Sequence, residues 1–287
     1  MGTDAIAEDH GSTRLIRLNR PDSGNGMAGS LLNDLIGLSE DAARTDAVRT
    51  IVTTGSGKTY SVGADFAELS QIGVDDLVDV VNSGSVGGEE SMLALSRQQR
   101  QLDSMGIGRW SLRFWNIDKP TIAAINGGAG GGGFALMLLH DFRIMASNAR
   151  ITPAFARLGL GPEMGVGWLL PRIVGWQRAK DLLYRCPILT ADQALEIGLV
   201  DEVVEPQHLE ARALEYATEL SAHPALGVRA TKRLLNMSAD MPLDRYLERE
   251  WTSQLRLFGT TEMQSALKAT ARSVRDSQRQ GPDTLRG

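Results

Sequence analysis

Apolar residues fall along the chain in short runs separated by polar turns, and the spacing within each run predicts its element. Thr13 to Asn19 (TRLIRLN) reads as a strand, stopped by Arg20-Pro21 and a turn rich in Asp, Ser, Gly and Asn. Ser30 is placed to cap a helix running to about Ala43. Val48 to Thr53 (VRTIVT) is β-branched and predicts a second strand. Thr121 to Ile125 (TIAAI) predicts a third, preceded by Lys119-Pro120 and followed by a Gly-rich loop. Phe134 to His140 is an apolar helix, and Phe142 to Ala146 returns as a strand. Thr190 and Gln193 make a capping-box pattern, with Gly198 placed to end the helix they open. Leu199 to Val204 is strand-like again. Leu209, Ala213, Tyr216, Ala217 and Leu220 recur at helical spacing, so the C-terminal third is mainly helical. Strands alternating with short helices indicate an α/β fold, a core over residues 1–205 with a helical region over 206–287.

The stretch from Ala67 to Asp118 interrupts this rhythm. It has no clear strand, and its centre, Asn82 to Glu90 (NSGSVGGEE), reads as a mobile polar segment. Its C-terminal flank contributes Trp110, Phe114 and Trp115.

Composition narrows the class. Of 287 residues, 42% are hydrophobic and 23% charged, which is too apolar for a disordered chain. The net charge of −5 comes without a basic block, so no nucleic-acid groove is indicated. A single cysteine, Cys186, excludes an intrachain disulfide. No window approaches the ~20 apolar residues that span a bilayer, and Met1 to Asp9 resembles neither a signal nor a transit peptide. The expectation is a soluble, cytoplasmic protein with no membrane or nucleic-acid partner.

Three patterns suggest chemistry and fail on detail. Gly55 to Thr59 (GSGKT) looks like the end of a phosphate-binding loop, but the position that should hold the first glycine is Val52, and no amphipathic helix follows. Gly128, Gly130 and Gly133 fit a dinucleotide fingerprint, but no acid follows at the ribose position; Thr152 to Phe155 contains none. His10, His140, His208 and His223 lack metal-ligand spacing, so no metal is expected, and His140 reads as a packed core residue.

Two loops remain. Ser61 to Phe66 (SVGADF) and Gly130 to Phe134 each follow a strand and offer backbone N–H groups without bulky side chains. Paired N–H donors can hold an oxyanion, and glycine allows a carbonyl close to the backbone. Tight turns packed against a sheet would look the same.

Taken in order, these segments resemble the crotonase (enoyl-CoA hydratase/isomerase) superfamily over nearly the whole chain. Leu18 to Pro21 with Asn25 resembles the family's first strand and turn, and Thr53 to Leu69 its segment ending in an AGAD loop. Lys119 to Asp141 (KPTIAAINGGAGGGGFALMLLHD) resembles the central element. Leu158 to Gly175, Thr190 to Val203 and Leu226 to Leu235 continue the match. The resemblance implies a spiral of β-β-α repeats, a helical C-terminal region that trimerises, and a homotrimer or dimer of trimers. It implies an acyl-CoA substrate, with CoA as part of the substrate and no other cofactor. Carried over by position, the oxyanion donors are the N–H groups of Ala64 and Gly132. CoA would lie near Ser61, Val62, Ala64, Asp65 and Phe66, with Lys268 or Arg272 reaching a phosphate. Gly131, Gly132 and Ala135 complete the substrate-binding set. By residue type, Phe134, Phe155, Met164, Trp168 and the Trp110 to Trp115 segment suggest a roomy apolar pocket, and each suits core packing at least as well. Asp65 is expected to hold its own loop in shape.

The chain departs from that family at the two hydratase carboxylates. Ala135 and Phe155 stand where glutamates are typical. Glu163 stands where some isomerases of the family carry a single catalytic glutamate, and it also reads as a helix-start residue behind Pro162. The expected activity is a 3-enoyl to 2-enoyl shift with Glu163 as acid and base, its carboxylate turned from solvent beside Ala64 and Gly132. A non-catalytic acyl-CoA binder and a hydrolase of a specialised pathway remain as alternatives.

Overall fold

A computed structural model describes residues 4–65 and 107–280. The chain divides into two compact units, 1–220 and 221–287. The first begins with β1 (Ala5–His10), a hairpin partner of β2 (Thr13–Leu18), followed by α1 (Leu31–Arg44), β3 (Thr50–Gly55) and β4 (Thr59–Ser61). After α2 (Gly108–Trp115) come β5 (Thr121–Ile125), β6 (Gly128–Gly130), α3 (Gly132–Leu138), β7 (Phe142–Ala146) and β8 (Arg150–Thr152). Next are α4 (Val166–Val174), α5 (Trp176–Arg185), β9 (Leu189–Thr190), α6 (Ala191–Glu196), β10 (Glu202–Val204) and α7 (Leu209–Ser221).

The strands sort into two sheets. One is six-stranded, in the order β1-β2-β3-β5-β7-β10; the other is four-stranded, β4-β6-β8-β9. Each chain turn therefore lays one strand in the large sheet, the next in the small sheet, and then a helix: β3, β4 and α2; β5, β6 and α3; β7, β8 and α4. This is the expected spiral. From β2 to β10 the large sheet is parallel, and β3 and β5 are buried at every position, as strands covered on both faces should be.

Prediction and structure agree on β5 and β7 residue for residue, and the Thr190–Gln193 capping box forms. Ser30 precedes α1 but its side chain accepts no cap bond; its hydroxyl donates to Asp34 instead. β1 was not anticipated, because an exposed edge strand of sequence AIAEDH carries almost no apolar signal. The short strands of the small sheet were also missed, since two or three residues cannot show a period. The unit boundary lies at 220 rather than 205, because α7 buries Leu209, Ala213 and Ala217 in the first unit's core. Most of the 67–118 stretch, including the Asn82 to Glu90 segment expected to be mobile, lies outside the described residues.

Side-chain amides fix the turn between β3 and β4. Asn25 donates to the carbonyls of Ser56 and Thr59 at 3.0 and 2.8 Å and accepts from the Arg20 N–H. Asn126 accepts from Gly55 N–H at 3.0 Å and donates to Gly57 O at 3.1 Å. Gly55 to Thr59 is therefore a clamped turn into a strand, with no helix behind it. Lys119 is 3% exposed, and its ammonium donates to the carbonyls of Ala42, Thr45 and Val48 at 2.6–2.7 Å. It thus caps α1 and ties it to the start of β5, placing a cation at the negative end of the helix.

The second unit contains α8 (Ala225–Ser238), α9 (Leu243–Phe258) and α10 (Thr261–Gln280). The Glu262 carboxylate accepts from the N–H groups of Ala225 and Leu226, joining the start of α10 to that of α8. Leu243, Leu247, Trp251, Leu255 and Phe258 are exposed at helical spacing along α9. Among the described residues no helix is long and apolar enough to cross a membrane.

Replacing Lys119 by Met keeps the stem and removes three charge-assisted hydrogen bonds. The expected loss is about 2–4 kcal/mol of stability by urea denaturation. A change below 0.5 kcal/mol would show that the three carbonyls do not depend on the ammonium.

Candidate functional site

The parallel order β4, β6, β8 sets the site. Parallel neighbours end on the same side, so the segments after Ser61, Gly130 and Thr152 emerge together. Ligands characteristically bind at such C-terminal strand ends.

The first segment is shaped by its own hydrogen bonds. Ser61 Oγ donates to Asn25 O at 2.8 Å and accepts from Gly63 N–H at 3.2 Å. Met27 N–H donates to Gly63 O at 2.7 Å. Gly63 has φ +83°, where a side chain would be strained. Asp65 is buried and pairs with Arg20, in the turn after β2, at 3.5 Å. Val62 is exposed and Ala64 partly so. Phe66 lies outside the described residues.

The second segment packs directly on the first. A methyl group added at Gly63 would lie 2.5 Å from Gly130 O and 2.6 Å from Gly132 N. One at Gly133 would overlap Ser61 O, and one at Gly132 would meet Met27 Sδ at 2.7 Å. Gly131, at φ +51°, donates to Thr152 O at 3.2 Å and so joins the second segment to β8. Gly132, at the start of α3, therefore lies against Gly63, the residue before Ala64. Neither the Gly132 nor the Ala64 backbone N–H donates to a described residue.

The third segment carries the acid. Phe155 begins a 3₁₀ turn and is 5% exposed, while Ala135 and Phe134 on α3 are completely buried, Phe134 within the hydrophobic core. Met164 is buried at φ +53°. Trp168 is half-buried, edge-on to Trp115 at 5.7 Å, with the Arg172 guanidinium 3.8 Å over its ring. Trp110 and Phe114 are core residues.

Glu163 corrects two expectations. It does not start a helix: α4 begins at Val166 behind Gly165 and has no acid in its first turn. Nor is it turned from solvent, because residues 156–163 form a continuous exposed run. Its carboxylate has no hydrogen-bond or ion-pair partner among the described residues. Its pKa is nevertheless raised, through desolvation by the surrounding protein. Solvent reaches this side chain, yet protein fills much of the space around it. Lys268 and Arg272 are exposed on α10 of the second unit.

Sequence reasoning missed how the site is buttressed. His140 is in the core, as expected, but it belongs to a polar chain with Thr53 and Tyr60 that neither residue's position in a strand announced. Met27 and Arg20 were also unforeseen, because their partners lie on distant loops.

A family model described as enoyl-CoA hydratase/isomerase matches residues 86–274. Crotonyl-CoA hydratase of Syntrophomonas wolfei subsp. wolfei is 30% identical, over 92% of this chain and 93% of that protein. 1,2-Epoxyphenylacetyl-CoA isomerase of Escherichia coli strain K12 is 31% identical, over 82% of each chain. The crystal structure of enoyl-CoA hydratase from Bacillus anthracis superposes with a TM-score of 0.81 at 26% identity, covering 94% of this chain and 97% of that one.

Gly63→Ala should disrupt the junction, since the added methyl meets backbone on two sides at a left-handed φ. A melting temperature lower by several degrees is expected, on the order of 1–3 kcal/mol. An unshifted melt would mean that the two loops are not held in contact.

Proposed function

The chain belongs to the enoyl-CoA hydratase/isomerase family, and we propose that it shifts the double bond of a 3-enoyl-CoA to the 2-position with Glu163 as its acid and base. The observation that supports this most is the state of Glu163: an acid with no partner among the described residues, a raised pKa and a place on the segment after β8. Ala135 and Phe155, which the family resemblance sets at the positions of the hydratase glutamates, are buried and carry no acid. Relatives carry both hydratase and isomerase names, so the name alone does not choose.

In the proposed reaction the Glu163 carboxylate removes a proton from the α-carbon. The C–H electrons move into the thioester, and negative charge collects on its oxygen. The N–H groups of Ala64 and Gly132 donate to that oxygen. The same carboxyl group then returns its proton to the γ-carbon, and the double bond forms between the α- and β-carbons. One acid suffices because the enolate is planar and the proton travels along one face. Hydration would also require an activated water, for which Ala135 and Phe155 offer no group. CoA is placed along Ser61 to Phe66, and the acyl chain toward Gly131, Phe134, Ala135, Phe155 and Trp168. No cofactor beyond the CoA of the substrate is required.

Ala135 and Phe155 equally suit a second reading, an acyl-CoA binder without turnover. Glu163→Gln separates the two. The expected result is loss of 3-enoyl-CoA isomerisation by on the order of 10²–10⁴, with acyl-CoA affinity within about threefold by calorimetry. Wild-type activity should fall as pH drops, because a base must be ionised. The raised pKa places that fall above the usual carboxylate range. Undiminished turnover in Glu163→Gln would refute the mechanism, and a wild type that binds without converting any enoyl-CoA would select the binder.

Assembly is proposed as a homotrimer or dimer of trimers, supported by the exposed apolar stripe of α9. Light scattering at micromolar concentration should give three or six chains. A monomer would refute it.

A further inference from the structure

Three polar side chains form a line through the interior of the first unit. Tyr60 on β4 and Thr53 on β3 are completely buried, and His140, just beyond α3, is 2% exposed. Thr53 Oγ lies 2.9 Å from Tyr60 Oη and 2.8 Å from His140 Nε2, and His140 Nδ1 lies 2.9 Å from Leu136 O. A carbonyl only accepts, so Nδ1 donates to Leu136 O, and in the tautomer protonated only there Nε2 is an acceptor. Thr53 then donates to Nε2 and accepts from Tyr60. All three protons run one way, from β4 through β3 to α3. Phe114 stands against the imidazole at 4.8 Å, with Trp110 stacked on Phe114 at 5.6 Å. Burial raises the Tyr60 pKa, so its hydroxyl keeps the proton it donates.

The ends of this line are what give it a use. Tyr60 immediately precedes Ser61, whose segment leads through Gly63 to Ala64. His140 is bonded to the last turn of the helix that Gly132 begins. Each oxyanion donor proposed above therefore sits one short element from an end of the same hydrogen-bond line. The glycine junction holds the two segments together on the site side, and the line holds them on the core side. An apolar core at these positions would bury the same area without setting a register, whereas directional bonds admit one arrangement.

We infer that Tyr60, Thr53 and His140 are positioning residues that set Ala64 and Gly132 against one oxygen atom. The inference rests on the oxyanion reading of those two N–H groups. Loss of the line should loosen the donors without removing the CoA site. The effect should appear in the response to a carbonyl oxygen and not in affinity for CoA as such.

The test is a pair of titrations, with acetoacetyl-CoA, which ionises to an enolate, and with S-butyl-CoA, a thioether with no carbonyl. Wild type, Tyr60→Phe, Thr53→Val and Thr53→Ser are compared by calorimetry after their folding is checked by circular dichroism. Wild type should prefer acetoacetyl-CoA. Tyr60→Phe and Thr53→Val should lose on the order of tenfold of that preference while holding S-butyl-CoA unchanged, and Thr53→Ser, which keeps the hydroxyl, should restore it. If Thr53→Val does not fold, Tyr60→Phe, which only removes the terminal donor, decides alone. Folded variants that keep the full preference would overturn the positioning role and leave the line as core structure. A wild type with no preference would overturn the oxyanion reading itself, and the inference with it.

Discussion

A backbone segment can lie flat against another only where no Cβ stands between them, and the first unit is organised around one such contact. Gly63, Gly132 and Gly133 let the chain after β4 lie against the chain that opens α3. The small sheet makes this possible, since β4 and β6 are adjacent parallel strands, spaced about 4.8 Å apart by their hydrogen bonds. The close approach also explains why α3 can start immediately after β6. A residue larger than glycine at 133 would push the helix off Ser61 and separate the segments the site is built from.

Polar groups in the interior serve the same geometry. Lys119 gathers carbonyls from the end of α1 and the turn that follows it, and the Thr53 line gathers β3, β4 and the end of α3. Burying such groups is tolerable because each described proton has an acceptor. Glu163 is the contrast. Its carboxylate has no partner among the described residues and is raised in pKa, a condition that a protein retains at a position with chemical use more readily than at one serving only stability.

Apart from its edge strand β1, the large sheet was legible in the sequence because strands such as β5 and β7 are mostly apolar with clear stops, and the spiral followed from the family resemblance. The small sheet was not, since its strands are two or three residues long and consist of glycine, threonine and a few others. Candidate site residues could be named by position, but their surroundings could not. Pro162 ahead of Glu163 suggested a helix start, yet two left-handed residues, Met164 and Gly165, delay α4 to Val166. Asn25 reaches Ser56 and Thr59, Asp65 reaches Arg20, and His140 reaches Thr53, contacts between residues far apart in sequence where no local pattern reaches.

The two asparagines that clamp the β3–β4 turn each precede a glycine, Gly26 and Gly127. That pairing is chemically fragile in a free chain, because glycine does little to keep the following amide nitrogen from attacking the side-chain carbonyl. Here each amide is pinned by hydrogen bonds at both of its ends. Conversion of Asn25 to aspartate would set a carboxylate oxygen against the carbonyls of Ser56 and Thr59, where a proton donor now sits. The clamp therefore governs how the molecule ages as well as how it folds. While the turn stays closed its amides are shielded, and each transient opening exposes them to a change after which the turn cannot close in the same way.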